Sequence, residues 1–381
     1  MQNQSVKQNI RSTPRSTGQA FLCIFLCFFM LFEALLVSVA IIRSMPEKEP
    51  VRPAQPPQSG IYNPPTQPSN SIFANGVVPS RLTGVGTTLT SELSSGYALL
   101  IDVETGEVLA SKNQSVRFSP ASMTKVMTLI VALEHLSAED LEQRVTATDE
   151  LYTYVTSGAY KGTDNAKFDP KDQDSVKVID LLYGIGMESY SDCAVMVAGV
   201  VCPASSYEES ERQFVALMNQ KAIALGLTGT QFDNVVGHES EGNYSTAADI
   251  ARMTAYALQC DTIKKIFSRN SMYQFQIDYI RDGVEKQYRF TYSSTLFNAN
   301  PETSNRIKAY EKKYGEFKLK EGVSFGGGKT GTLGDATSGY IYSLVSYVIK
   351  GGRTYVIVTG ETTLAHGVMA DVKTLADNYI P

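Results

Sequence analysis

The chain has 381 residues, a formal net charge of −5, 43% hydrophobic residues, 21 tyrosines and no tryptophan. That length has room for one large globular domain or two modest ones, and the mildly acidic balance removes the electrostatic case for a nucleic-acid partner, which needs a basic face to displace counterions. Only three histidines occur, His135, His238 and His366, far apart in the chain, so no metal site, no His-dependent triad and no cofactor is expected.

Residues 1–20 are polar, carry Lys7, Arg11 and Arg15, and read as a cytoplasmic tail. Residues 21–42, FLCIFLCFFMLFEALLVSVAII, are apolar apart from Glu33. As a helix rising ~1.5 Å per residue this run spans about 33 Å, enough for the bilayer core. It reads as a transmembrane signal-anchor. A cleaved signal peptide is the competing reading, because Ser38-Val39-Ala40 resembles a small-x-small cleavage site, although signal cores are usually only about 7–15 residues long. Either way the rest of the chain is expected outside the cytoplasm. Residues 43–90 hold nine of the fifteen prolines and little apolar periodicity. They cannot bury enough surface to offset their ordering entropy, and read as a disordered linker.

The body, residues 91–381, is expected to fold from about Gly96. Tyr97–Val103 and Val108–Asn113 are β-rich runs around ETGE, a hairpin signal. SMTKVMTLIVALEHL has helical periodicity, as do 176–187, 191–202 (stopped by Pro203), 206–225 (stopped by Gly226) and 246–259. YQFQIDYI and QYRFTY then flank RDGVEK as strand candidates, and three more strands begin at Lys329, Gly339 and Arg353. A last helix carries Val368, Val372, Leu375 and Tyr379 on one face. Strands at both ends with helices between them predict an α+β fold: one antiparallel sheet whose first and last strands meet, with helices packed on it. Cys193, Cys202 and Cys260 lie in this body without any C-x-x-C pair. Buried thiols are expected, with one disulfide and a leftover thiol as the alternative.

Two motifs fail on context. SFGGGKTGT ends in Gly-Lys-Thr, but a phosphate loop needs glycine where Val323 stands, and no helix follows Lys329. Gly322-Val323-Ser324-Phe325-Gly326 fits the nucleophile-elbow pattern, yet glycines follow where a helix is required.

Ser122-Met123-Thr124-Lys125 is the only S-x-x-K in the chain, placed at the start of a predicted helix. Residues three apart share a helix face, so the Lys125 amine can reach the Ser122 hydroxyl. A lysine acts as a base only if its pKa falls, through desolvation or a neighbouring cation. The helix N-terminus disfavours the ammonium and offers N–H groups to an oxyanion. Lys329-Thr330-Gly331 supplies a second cation that would lower the Lys125 pKa, and Ser189 stands at a junction between two helices.

An S-x-x-K, a serine-led motif and a K-T-G in this order resemble the serine D-alanyl-D-alanine carboxypeptidases, the low-molecular-mass penicillin-binding proteins. LLIDVETGEVLASKN, PASMTK, ALEH, FDNVVG, YSTAADIARM and KTGT…SGY all read like that family, and the resemblance runs from about Gly96 to Ile380. It implies a β-lactamase/transpeptidase-like fold, an antiparallel sheet flanked by helices with a mostly helical subdomain. It also implies a substrate, the peptidoglycan stem peptide ending in D-Ala-D-Ala, and acylation by β-lactam antibiotics. Carried over, Ser122 is the nucleophile, Lys125 its base and Ser189 the proton relay. Lys329, Thr330 and Gly331 bind the terminal carboxylate, and the N–H groups of Ser122 and Thr332 form the oxyanion hole.

The chain departs from the family where an S-x-N ends in asparagine. Ser191 stands there, with one hydroxyl in place of an amide's donor and acceptor, so Ser191 is expected to hold substrate less well. Tyr190 could project into the cleft instead. NPETSNRIKAYEKKYGEFKLKEG is expected to be an added surface loop near the cleft, and the three glycines before Lys329 to leave room for substrate at an edge strand. Many relatives carry a C-terminal anchor after a second domain; here the N-terminal run is the expected anchor. A catalytically impaired wall-peptide-binding domain, or a β-lactamase on the same fold, are the alternative functions, though no E-x-x-L-N signature supplies a deacylating carboxylate.

Overall fold

The computed structural model describes residues 81–268, 270, 272–297, 306–335 and 337–381. The tail, the apolar run 21–42 and most of the linker lie outside the described residues. Among the described residues no helix is long and apolar enough to cross a membrane.

The chain enters through β1 (Thr87–Thr88), β2 (Tyr97–Asp102) and β3 (Val108–Lys112). β1 pairs in parallel with Ala110–Ser111, so residues 87–88, within the stretch that composition assigns to the linker, are strand; buried Leu89 and Leu93 hold this segment in place. α1 (Lys125–His135), α2 (Ala138–Glu142), β4 (Arg144–Thr146), α3 (Asp149–Thr156), β5 (Ser175–Lys177) and α4 (Val178–Tyr183) follow. Then come α5 (Ser191–Val201), α6 (Tyr207–Ala224), α7 (Ala247–Ala257), α8 (Asp261–Phe267), β6 (Tyr273–Arg281) and β7 (Val284–Tyr292). α9 (Arg306–Tyr314), β8 (Val323–Asp335), β9 (Gly339–Lys350), β10 (Arg353–Thr362) and α10 (Gly367–Tyr379) complete the domain. Side chains of Thr148, Ser206 and Thr246 cap α3, α6 and α7 by accepting a backbone N–H three residues on.

The larger sheet runs β1-β3-β2-β10-β9-β8. The expected meeting of first and last strands is present: β2 pairs antiparallel with β10, Leu99 opposite Val358 and Ile101 opposite Val356. Because strand side chains alternate between faces, both strands feed two cores. Leu99, Ile101, Val356 and Val358 face the helical body, whereas Ala98, Leu100, Tyr355 and Ile357 face α10. Buried on both sides, β2 reads as a continuous apolar run rather than an alternating one. α1 is likewise buried from Lys125 to Glu134, the position of a core helix apolar on every face.

A smaller sheet runs β4-β5-β6-β7. Its hairpin turns at Asp282 and Gly283, both with positive φ, as a two-residue turn matched to strand twist requires. Tyr273 stacks on Tyr183 with ring centroids 3.8 Å apart and Phe275 leans on Tyr292 at 4.7 Å, fastening this hairpin under the helical body.

Four expectations need correction. The single antiparallel sheet is in fact two, and the larger one is mixed because β1 joins β3 in parallel. β8 starts at Val323 rather than Lys329, so the glycine run is strand. A Cβ on Gly327 would meet Phe267 O at 2.0 Å, and one on Gly328 would meet Val345 O at 2.1 Å. Those glycines therefore make room for the protein's own backbone and not for substrate. The charged stretch expected as a loop contains α9, whose Tyr310 is buried in the second core and whose Arg306 is fully enclosed. The three body cysteines are free and buried, as expected.

α10 is pinned to the approach of β2 by one carboxylate. Asp371 accepts Ser94 N (3.1 Å), Ser94 Oγ (3.0 Å), Ser95 N (2.8 Å) and Ser95 Oγ (2.6 Å). Asp371→Ala strands four donors, and should lower the unfolding free energy by about 2–4 kcal/mol; an unchanged denaturation midpoint would show that the clamp is idle.

Candidate active site

Ser122 lies in a 3₁₀ turn, Ala121–Thr124, that runs directly into α1. Side chains at i and i+3 eclipse in such a turn, so the pairing expected from an α-helix survives: Lys125 Nζ stands 3.3 Å from Ser122 Oγ. Ala121 is held at φ +48°, a strained conformation for a residue with a Cβ. Against it packs Gly237, φ +83°, whose missing side chain lets its backbone approach the turn closely. A Cβ there would stand 1.8 Å from Ala121 O.

Lys125 is 1% exposed and donates to Val236 O at 2.7 Å. Burial pushes its amine down to about 7, against the opposing field of Asp164 and, more weakly, Cys193 and Asp192. Desolvation is the largest cause.

The segment carrying Val236 is itself tied down. Asn234 Oδ1 accepts from the backbone N–H of Val236 (3.2 Å), Gly237 (2.7 Å) and His238 (3.0 Å). Thr128 Oγ1 donates to Val235 O at 2.7 Å. The buried Glu211 carboxylate takes Val235 N–H at 2.9 Å and the Tyr154 and Tyr160 hydroxyls.

A second wall comes from a π-helical turn, Gly184–Glu188, that ends at Ser189. Ser189 sits at φ +65°, ψ +25°, a left-handed conformation uncommon for a residue with a Cβ. Its Oγ accepts from Lys329 Nζ at 3.0 Å. Ser191 opens α5, is 1% exposed, and its N–H donates to Asp164 O at 2.9 Å. Asp192 holds the facing loop by accepting Ala166 N (3.1 Å) and Lys167 N (3.0 Å). The half-buried Tyr190 ring packs edge-on against Tyr292 at 5.7 Å.

The third wall is β8, the edge strand of the large sheet. Lys329 is 0% exposed and also donates to Thr330 O at 3.0 Å. Burial pushes its amine well below the ordinary lysine range, with the charges of Lys125 and Arg306 adding to the effect. Thr330 Oγ1 meets Thr295 Oγ1 at 3.0 Å. A Cβ on Gly331 would meet Pro120 O at 3.2 Å, so this glycine brings the strand against the Ser122 turn. The structure thus gathers Ser122, Lys125, Ser189, Ser191, Lys329, Thr330, Gly331 and Thr332 from three separate parts of the chain.

One cleft residue escaped sequence reasoning. Arg306 Nη2 donates to Thr332 Oγ1 at 2.7 Å and Gly331 O at 3.3 Å, and its guanidinium lies 4.4 Å over the Tyr342 ring. Its signal was faint: Ile307, Tyr310 and Tyr314 at helical spacing inside a cationic stretch.

A family model for D-alanyl-D-alanine carboxypeptidases matches residues 85–360, most of the described body. The chain belongs to this family. It is 32% identical over 277 residues to the D-alanyl-D-alanine carboxypeptidase DacF of Bacillus subtilis, covering 72% of this chain and 60% of that protein. It is 35% identical over 154 residues to DacA of Escherichia coli, covering 40% of this chain and 36% of that one. The chain therefore spans about 60% or less of these relatives' length. In fold it is similar to the Streptomyces K15 DD-transpeptidase, with TM-score 0.60, 24% identity, 76% of this chain and 98% of that one. It is also similar to penicillin binding protein 6B of Escherichia coli, with TM-score 0.54, 21% identity, 75% of this chain and 77% of that one. The α+β penicillin-binding fold expected from the sequence is thus present.

Gly237→Ala should displace the Ser122 turn and cut acylation of Ser122 by benzylpenicillin at least 100-fold. Gly283→Ala, at positive φ but with open space around it, should cost only on the order of 1 kcal/mol of stability and leave acylation unchanged. Equal acylation in both variants would show that the Gly237 contact does not shape the site.

Proposed function

We propose that this protein is a serine-type D-Ala-D-Ala carboxypeptidase that removes the terminal D-alanine from peptidoglycan stem peptides. Family membership supports the reaction class. The observation that carries the reading is the buried Lys125 amine, depressed to about 7, beside the Ser122 hydroxyl.

In this reading neutral Lys125 takes the Ser122 proton as Oγ bonds to the carbonyl carbon of the penultimate D-alanine. The carbonyl oxygen becomes an oxyanion, met by the N–H groups of Ser122 and Thr332. The Lys125 ammonium returns that proton by way of Ser189, which bridges toward Lys329, to the departing amine; the C–N bond breaks and Lys125 is neutral again. Water then attacks the acyl ester with Lys125 again as base, which frees the shortened peptide and restores Ser122. The arriving α-carboxylate supplies the counter-charge that Lys329 lacks in the free site, and Thr330 and Gly331 line its path. Arg306, behind Thr332, adds positive potential to the same end of the strand.

Ser191 favours one rival, a penicillin-binding domain with impaired turnover. It lacks the amide that would grip substrate, a loss worth about 1–3 kcal/mol, yet it leaves the nucleophile intact. Fluorescent penicillin should label the protein and fail to label Ser122→Ala. Release of D-alanine from a D-Ala-D-Ala peptide then separates the readings, and labelling without release would favour the rival. We also propose that the run 21–42 holds the catalytic body at the outer face of the membrane; recovery of the full chain in a soluble extracellular fraction would refute that.

The base must be unprotonated, so acylation should rise with pH through a midpoint near 7 and level off above it. Asp164→Asn removes the carboxylate that favours the Lys125 ammonium and should move that midpoint downward. A rate independent of pH up to about 10, the ordinary lysine range, would contradict a lysine base.

A further inference from the structure

Beside the Ser122 turn lies a hollow of about 460 Å³ that the reaction above does not use. One side is the segment just before the turn, Arg117 to Ser119, and the other is the loop from Glu239 to Tyr244. Lys329 and Ser189 belong to the other two walls of the cleft. The hollow is near the chemistry: Ser119 stands three residues before Ser122, and Asn243 Nδ2 donates to Thr124 Oγ1 at 3.3 Å.

Its polar groups are unsatisfied in a particular pattern. Asn243 is 1% exposed and its Oδ1 has no hydrogen-bond partner; the enclosed Ser119 Oγ has none either. Leaving such buried atoms unmatched is costly, and a ligand donor would satisfy them. Glu239 and Glu241 are exposed and enter no salt bridge among the described residues. The Arg117 guanidinium lies 4.4 Å over the Tyr244 ring, and likewise pairs with no carboxylate at salt-bridge distance. Its field does reach the Asp249 carboxyl, which Thr230 Oγ1 and Gly229 N already occupy.

Two carboxylates and an amide oxygen suit a primary ammonium, and a planar guanidinium suits a carboxylate. A ligand carrying both groups on one carbon satisfies both parts. We propose that this hollow is a subsite for the zwitterionic side-chain end of a diaminodicarboxylic acid, placed in the stem peptide immediately before D-Ala-D-Ala. The inference rests on the carboxypeptidase reading for the identity of the ligand. A lysine at that position would fill only the acidic half, and an acetylated lysine neither half.

The test reads binding apart from turnover. Full-length Ser122→Ala is titrated by calorimetry with peptides X-D-Ala-D-Ala, where X is diaminopimelate, lysine or Nε-acetyl-lysine. Affinity should fall about tenfold at each step, the scale of one charge-assisted contact. Adding Arg117→Gln should erase the diaminopimelate-over-lysine preference and keep the lysine-over-acetyl-lysine one; adding Glu239→Gln with Glu241→Gln should do the reverse. In the Ser122 protein all three substitutions should leave benzylpenicillin acylation unchanged. Equal affinity for the three peptides, or an equal loss for all three in the Arg117→Gln variant, overturns the subsite. Absence of D-alanine release by the Ser122 protein would instead count against the carboxypeptidase reading, while the order of affinities would still decide the subsite.

Discussion

The pairing of β2 with β10 is the constraint on which the rest of this structure depends. It joins residues 97–102 to 355–360, so about two thirds of the chain is an excursion between two adjacent strands. Closing so long a loop has an entropic cost that grows only slowly with length, and the paired strands offset it by burying both faces. Leu99 and Val358 commit the helical body to one side, Leu100 and Ile357 commit α10 to the other, and the Asp371 clamp then fixes the approach. β9 and β8 extend the same sheet outward, and leave at its edge the strand that carries Lys329.

That edge matters because of what α1 does beneath it. A helix buried on every face carries its first residue, Lys125, out of water, and an ammonium without a close carboxylate gives up its proton readily there. The protein spends much of its local structure on this arrangement. Gly237 packs against the strained Ala121, Asn234 and Glu211 fix the carbonyl that the Lys125 amine needs, and the π-turn delivers Ser189 in a left-handed conformation. Strain and unpaired charge concentrated in one cleft, supported by apolar packing around it, is the usual partition between stability and function.

Legibility in the sequence followed locality. The hairpin of β2 and β3, the helices α5, α6 and α7, and the strands β9 and β10 were readable, since apolar period, caps and turn residues operate within a few positions. The short α2 and α3 were not, although Ser137 and Asp140 spell a capping box. α9 was read as a loop because its cationic residues outnumber the apolar ones that pack. The glycines before Lys329 were correctly taken as a demand for space, but the occupants of that space, Phe267 O and Val345 O, come from α8 and β9.

The sequence by itself determined the chemistry available: a serine and lysine three residues apart, a K-T-G, and the order of elements that places them in one domain. Family text around those motifs made the reaction class legible, and local periodicity made the fold class legible. Only the tertiary structure decided that Lys125 is desolvated, that Ser191 is enclosed at a helix start, and that Arg306 reaches Thr332 from a segment that looks like solvent-exposed loop. The reason is that burial and electrostatic neighbours are sums over residues distant in the chain, whereas periodicity and motif spacing are properties of a few consecutive ones.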